Sequence, residues 1–158
     1  MQNMRHTPLA AVLSGGLIAG TIDIGAASLI NWISPVIILH AIASGILGKA
    51  SFNEGLPAAL LGLGLQWAMA LLIATIYRVG TYKLTWARQH WVPAGVIYGV
   101  GIFIVMNYVV VPLSAAPFKM HFNIQKIGEN LLAMILFGLI VAFFSRSASN
   151  GTATQPVA

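Results

Sequence analysis

The stretch Leu9 to Ile33, LAAVLSGGLIAGTIDIGAASLINWI, decides the fold. One ionisable residue, Asp23, stands near its middle. A helix of this length crosses a bilayer, for which ~20 predominantly apolar residues suffice. A carboxylate at the centre of such a helix costs about 2.5–3.5 kcal/mol on insertion scales, so by default it marks a functional site or a partnered polar cluster. Residues three and four apart share a helix face, which places Gly16, Gly20, Asp23, Ala27 and Asn31 together. Gly16 and Gly20 form a GxxxG pair, which lets a second helix approach closely. The stripe is therefore expected to face protein rather than lipid.

Three further runs have the same character: Leu56 to Tyr77, Val92 to Leu113 and Ile127 to Phe144. The third is bracketed by Pro93 and Pro112, at ends where proline is tolerated. A fifth apolar stretch, Val36 to Leu47, follows Ser34-Pro35, a helix-start signature. At roughly a dozen residues it is short for a span, and a re-entrant or interfacial helix over about 35–48 is expected, with a five-span chain as the alternative. The expected architecture is all-α: a single transmembrane bundle over 1–146, spanning about 9–33, 56–77, 92–113 and 127–144, with a disordered tail over 147–158.

Composition agrees. The 158 residues are 58% hydrophobic and 7% charged, against about 25% charged in soluble domains. The deficit means that most of the surface meets lipid, and the lipid bilayer is the first expected partner. There is no cysteine, which excludes disulfides and thiolate metal sites. The net charge of +5 does not point to nucleic acid, because the basic residues lie beside the apolar runs, where they set topology and meet anionic lipid. Arg5, Arg78, Lys83, Arg88 and Arg146 lie on one side and Lys49, Lys119 and Lys126 on the other. The positive-inside rule then places both termini in the cytoplasm. Trp32, Tyr82, Trp86, Trp91 and Phe118 fall near segment ends, as interfacial aromatic belts require.

The remaining polar residues define the candidate site. Gln66 lies near the centre of the second run, and Asn107 lies beyond the centre of the third, outward like Asp23. At about 1.5 Å per residue the three fall within roughly 10 Å of one another in depth. They are expected to form one buried polar cluster, for binding or for packing, with His40, Glu129 and Asn130 above it toward the outer surface. Gly95 and Gly99 form a second GxxxG pair. Desolvation penalises an ionised group, so Asp23 is expected to be protonated at rest or to hold a cation or an ammonium group. The histidines 6, 90 and 121 are scattered without ligand spacing, so no metal site and no cofactor are expected. No catalytic residues are assigned: Gly-x-Ser-x-Gly, His-Glu-x-x-His and phosphate-loop patterns are missing, and one aspartate cannot make an aspartyl dyad.

Tyr98-Gly99 with Val105-Met106-Asn107-Tyr108-Val109-Val110-Val111-Pro112-Leu113-Ser114-Ala115 resembles a pattern found in a family of small four-helix bacterial inner-membrane proteins. Ala43-Ser44-Gly45-Ile46-Leu47-Gly48 and Thr21-Ile22-Asp23 are similar to it as well, and together the stretches cover about a third of the chain. The resemblance implies a bacterial inner membrane, with Asp23 and Asn107 as matched positions, and carries no activity. In that family a histidine opens the last helix, where this chain reads Gly128-Glu129-Asn130, so no role passes to that position.

Three functions fit these residues. The first is an accessory or scaffold membrane protein whose polar cluster is packing glue. The second is a small proton- or cation-linked transporter or channel-like protein using Asp23. The third is a lipid-binding or lipid-modifying protein. Four helices barely enclose a pore, so transport implies a homo-oligomer, and a scaffold implies a membrane protein partner.

Overall fold

The computed structural model describes residues 8–117 and 124–149. The described chain is helical, without strands. Four long helices dominate: α1 (Pro8–Asn31), α3 (Leu56–Lys83), α5 (Trp91–Val105) and α7 (Ile124–Ser149). A helix α2 (Pro35–Leu47), extended by a 3₁₀ turn over Gly48–Phe52, joins α1 to α3. A short α4 (Thr85–Gln89) joins α3 to α5. A π turn (Met106–Val110) and α6 (Val111–Leu113) carry α5 to Ser114.

Small side chains make the interior. Gly16 of α1 lies against Leu71 and Ala70 of α3, and a methyl group on Gly20 would stand 2.9 Å from Ala70 Cβ. Gly95 and Gly99 of α5 lie against Gly138, Ile135 and their neighbours on α7, so backbone meets backbone. The core is Ala19, Ala70, Ala74, Tyr77, Ile102, Phe137, Val141 and Ala142. The large aliphatics point outward instead: Leu9, Leu29, Leu60, Leu72, Ile97 and Leu132 are all more than half exposed. In lipid, helices gain nothing from hiding such residues, and association rests on close packing of small ones.

The contacts fix the directions. Gly15 meets Phe144 while Lys126 Nζ donates to Asn31 Oδ1 at 3.0 Å, so α1 and α7 are antiparallel. Gly16 at Leu71 and Asp23 at Gln66 make α1 and α3 antiparallel. Gly95 at Ala142 and Gly99 at Ile135 do the same for α5 and α7. The long helices alternate in direction, and the described chain begins and ends at the same end of the bundle. Arg78 Nη1 donating to Ser145 O at 3.4 Å, and the Arg146 guanidinium 5.6 Å from the Trp91 ring centre, mark that end.

Five stretches are long and apolar enough to cross a membrane, Pro35–Phe52 among them at 18 residues. Antiparallel α1 and α3 put the end of α1 and the start of α3 at one end of the bundle. The α2 segment must therefore start and finish there too. After Asn31 the chain turns back through Trp32, at φ 55°, and Ile33 N donates to Ser28 O at 3.2 Å. Ser34 then caps α2, its hydroxyl accepting from Val36 N at 3.3 Å, with Pro35 in the first turn. Leu39 lies on Gly62 of α3, and Gly45 O accepts from Ala115 N at 2.9 Å, which ties the α5–α6 end to α2. Gly48 and Gly55, at φ 60° and 59°, make the two turns that return the chain to α3, in a region that L side chains rarely adopt.

Some expected boundaries are corrected. α3 runs to Lys83 rather than Tyr77, and α7 runs from Ile124 to Ser149 rather than from Ile127 to Phe144. Residues 147–149 of the expected tail are thus helical, and the rest of the tail lies outside the described residues, as do Arg5, His6, Phe118, Lys119 and His121.

Candidate functional site

Asp23 is held where α1 meets α3. Gly20, one turn before it, lets α3 come close enough for Gln66 to reach across. Gln66 Nε2 donates to Asp23 Oδ2 at 2.9 Å and lies 3.3 Å from Gly20 O. The amide thus uses both protons on α1. Trp67 Nε1 donates to Thr21 Oγ1 at 3.4 Å beside it. Two of the three residues of the expected cluster, Asp23 and Gln66, are therefore a direct pair between the first two long helices.

The other side of Asp23 is open. A cleft of about 230 Å³ lies between α1 and α7, lined by Asp23, Ala27, Ile30 and Asn31 from α1 and Lys126, Asn130, Ala133 and Met134 from α7. In the antiparallel register Asp23 sits level with Ala133 and Met134, Ala27 with Asn130, and Asn31 with Lys126. Asp23 is half-buried and forms the floor, whereas Asn31 and Lys126 are exposed and form the mouth. Among the described residues no donor is bonded to Asp23 Oδ1, and no buried side-chain oxygen is left without a partner, so Oδ1 is accessible on a residue that lines the cleft.

The remaining expected residues part company with this pair. Asn107 lies in the π turn and donates from Nδ2 to Phe103 O of its own helix at 2.7 Å. The turn precedes Pro112, which has no N–H and crowds the carbonyl four residues back. The wider turn and the Asn107 amide accommodate that defect, and Asn107 is not part of the cleft wall. His40 donates from Nε2 to Gly55 O at 2.8 Å and stands edge-on to Phe52, ring centres 6.2 Å apart, so it fastens α2 to the α3 turn. Glu129 accepts from Gln125 one turn away at 3.1 Å. Asn130 does join Asp23, as a wall of the cleft. Gly16, Gly20, Gly95 and Gly99 all meet helices of the same chain.

Sequence reasoning missed Lys126 as a site residue and read it only as a topology charge. The signal was present: Lys126, Asn130 and Met134 recur every four residues and so share one face of α7. Among the described residues no group of three metal-ligating side chains comes together. No family model matches the chain, and no curated protein or solved structure matches it significantly.

Proposed function

We propose that this chain is a small four-span protein of a bacterial inner membrane, with both termini in the cytoplasm, that binds a small cation or ammonium group at Asp23 as a cation-linked transporter or channel-like protein. The observation that carries this reading is the division of labour at the carboxylate. Oδ2 is held by Gln66, while Oδ1 has no bonded donor among the described residues and Asp23 lines a cleft of about 230 Å³. A carboxylate kept only for packing needs no cleft in front of it, and an asparagine would serve without the cost of ionisation. The bundle end that carries Arg78, Lys83 and Arg146 is the more basic one, which supports its cytoplasmic placement.

The rival reading is an accessory or scaffold protein in which the polar pair is glue. It is favoured by Gln66, whose amide binds both Asp23 and Gly20 O and so clips α1 to α3. Thermal stability of purified wild type and Asp23→Asn, scanned over pH with and without added methylammonium, separates the two. Under the binding reading methylammonium stabilises the wild type, the effect depends on pH, and both are lost in the variant. Coincident curves for the two proteins favour the scaffold, and the search then turns to copurifying partners.

A further inference from the structure

The cleft in front of Asp23 has a second charge. Lys126 lines its mouth, about two helical turns outward from the carboxylate at its floor. One Nζ proton is used on Asn31 Oδ1 at 3.0 Å. An ammonium group has three donors, and among the described residues the other two have no acceptor and are left for an anion. Between the charges the walls are Ala27 and Ile30 on one side and Ala133 and Asn130 on the other, apolar but for a single amide. A site for a bare cation needs no cation of its own at the entrance, because like charge there repels the ligand. A lysine at the mouth and a carboxylate at the floor suit a molecule that carries both signs.

We infer that the cleft between α1 and α7 binds a zwitterion, a primary ammonium group joined to an anionic group, with the ammonium on Asp23 and the anion on Lys126. This rests on the proposed cation site at Asp23 and names its ligand class. The volume of about 230 Å³ admits roughly seven waters at about 30 Å³ each, or one compact zwitterion in their place. Lys126 is exposed and its four-carbon stem is flexible, so the ammonium can leave Asn31 and swing inward to close the distance between the charges. Two sources share this chemistry, a free small zwitterion and the ethanolamine headgroup of a phospholipid.

The test is calorimetric titration of the full chain in maltoside detergent. The probes are ethanolamine, which carries only the ammonium, and phosphoethanolamine, which carries both charges. Wild type is expected to bind phosphoethanolamine about tenfold more tightly than ethanolamine, the order that one hydrogen bond to a charged group supplies. Lys126→Gln should bring phosphoethanolamine down to the ethanolamine level, while ethanolamine, relieved of a like charge at the mouth, should bind at least as tightly as to wild type. Asp23→Asn should lose both. Short-chain phosphatidylethanolamine, set against phosphatidylglycerol of equal chain length, separates the sources. Lys126-dependent binding of the first but not the second supports a lipid headgroup, and binding of phosphoethanolamine alone supports a free zwitterion. Equal affinity for ethanolamine and phosphoethanolamine, unmoved by Lys126→Gln while Asp23→Asn abolishes both, overturns the zwitterion and leaves the cation site standing. Binding indifferent to Asp23→Asn removes both readings.

Discussion

Replacing Gly99 by alanine sets two measurable effects against each other. Alanine in a helix interior is favoured over glycine by roughly 0.5–1 kcal/mol. At Gly99, however, the new methyl group would stand 2.5 Å from Met134 O and 2.6 Å from Ile135 Cα. Ordinary contacts begin near 3.4 Å, so α5 and α7 must separate by most of an ångström. The obstructing atoms are backbone and cannot rotate aside. Overpacking costs typically 1–3 kcal/mol, and a backbone clash belongs at the upper end. The net expectation is a loss of about 1–2 kcal/mol, despite the gain in helix propensity. Gly101, two residues on in the same helix, is the internal control, because nothing stands within 4 Å of its added methyl. Gly101→Ala should gain the propensity term alone. The two variants should thus differ by about 2–3 kcal/mol, or roughly 5–10 °C in midpoint, using about 2–4 °C per kcal/mol for a chain of this size. Tryptophan fluorescence during heating in detergent reads the difference. Equal midpoints would refute the close approach of α5 to α7.

Three other outcomes test the remaining geometry. Gln66→Leu removes two intramembrane hydrogen bonds and should cost about 0.6 kcal/mol for each, so about 1.2 in all, in graded detergent denaturation; a loss above ~3 kcal/mol would mean that the pair holds the fold together rather than presenting a site. His40→Phe keeps a ring beside Phe52 but loses the bond to Gly55 O, so amide exchange around the start of α3 should quicken while global stability changes by about 0.5–1.5 kcal/mol; unchanged exchange would show that His40 does not secure the turn. Because the chain lacks cysteine, single cysteines can be placed at will. Trp32→Cys and Asn53→Cys should label from the same side of the membrane and Lys83→Cys from the other, whereas labelling of the first two from opposite sides would make the α2 segment a full crossing.

The four long helices were legible because a continuous apolar run of bilayer length has few other meanings. Their ends were not. Hydropathy reports where the side chains leave the apolar environment, whereas the backbone ladder continues until something breaks it. α3 therefore persists through Arg78 and Thr81 to Lys83, and α7 begins before its apolar run, at Ile124. The short α4 lies in a polar connection that carried no apolar period at all. In the site, depth along the helices sufficed to bring Gln66 to Asp23, since helices clamped by glycines leave little freedom across the gap. It misled for Asn107, whose amide is used by its own helix next to Pro112. Depth says how far along a side chain sits, and a local backbone defect decides where it turns.

Counting apolar stretches gives five, and packing allows the second of them only a return trip. The decisive residues are the small ones on α1. Gly16 and Gly20 commit the first long helix to an antiparallel neighbour, and that commitment brings Asn31 and Leu56 to a common end. Everything between them, α2 and its 3₁₀ extension included, is then confined to that end. There Gly45 O meets Ala115 N, and there the cleft opens past Asn31 and Lys126. The Gln66–Asp23 pair at the floor of the cleft is therefore a consequence of the same glycine stripe. A bulky residue at Gly20 would push α3 away from α1 and displace Gln66 from Asp23, so it would disturb packing and binding together. A charge change at Lys126 leaves the stripe untouched and gives up only an exposed bond to Asn31, which makes it the cleaner probe of what the cleft holds.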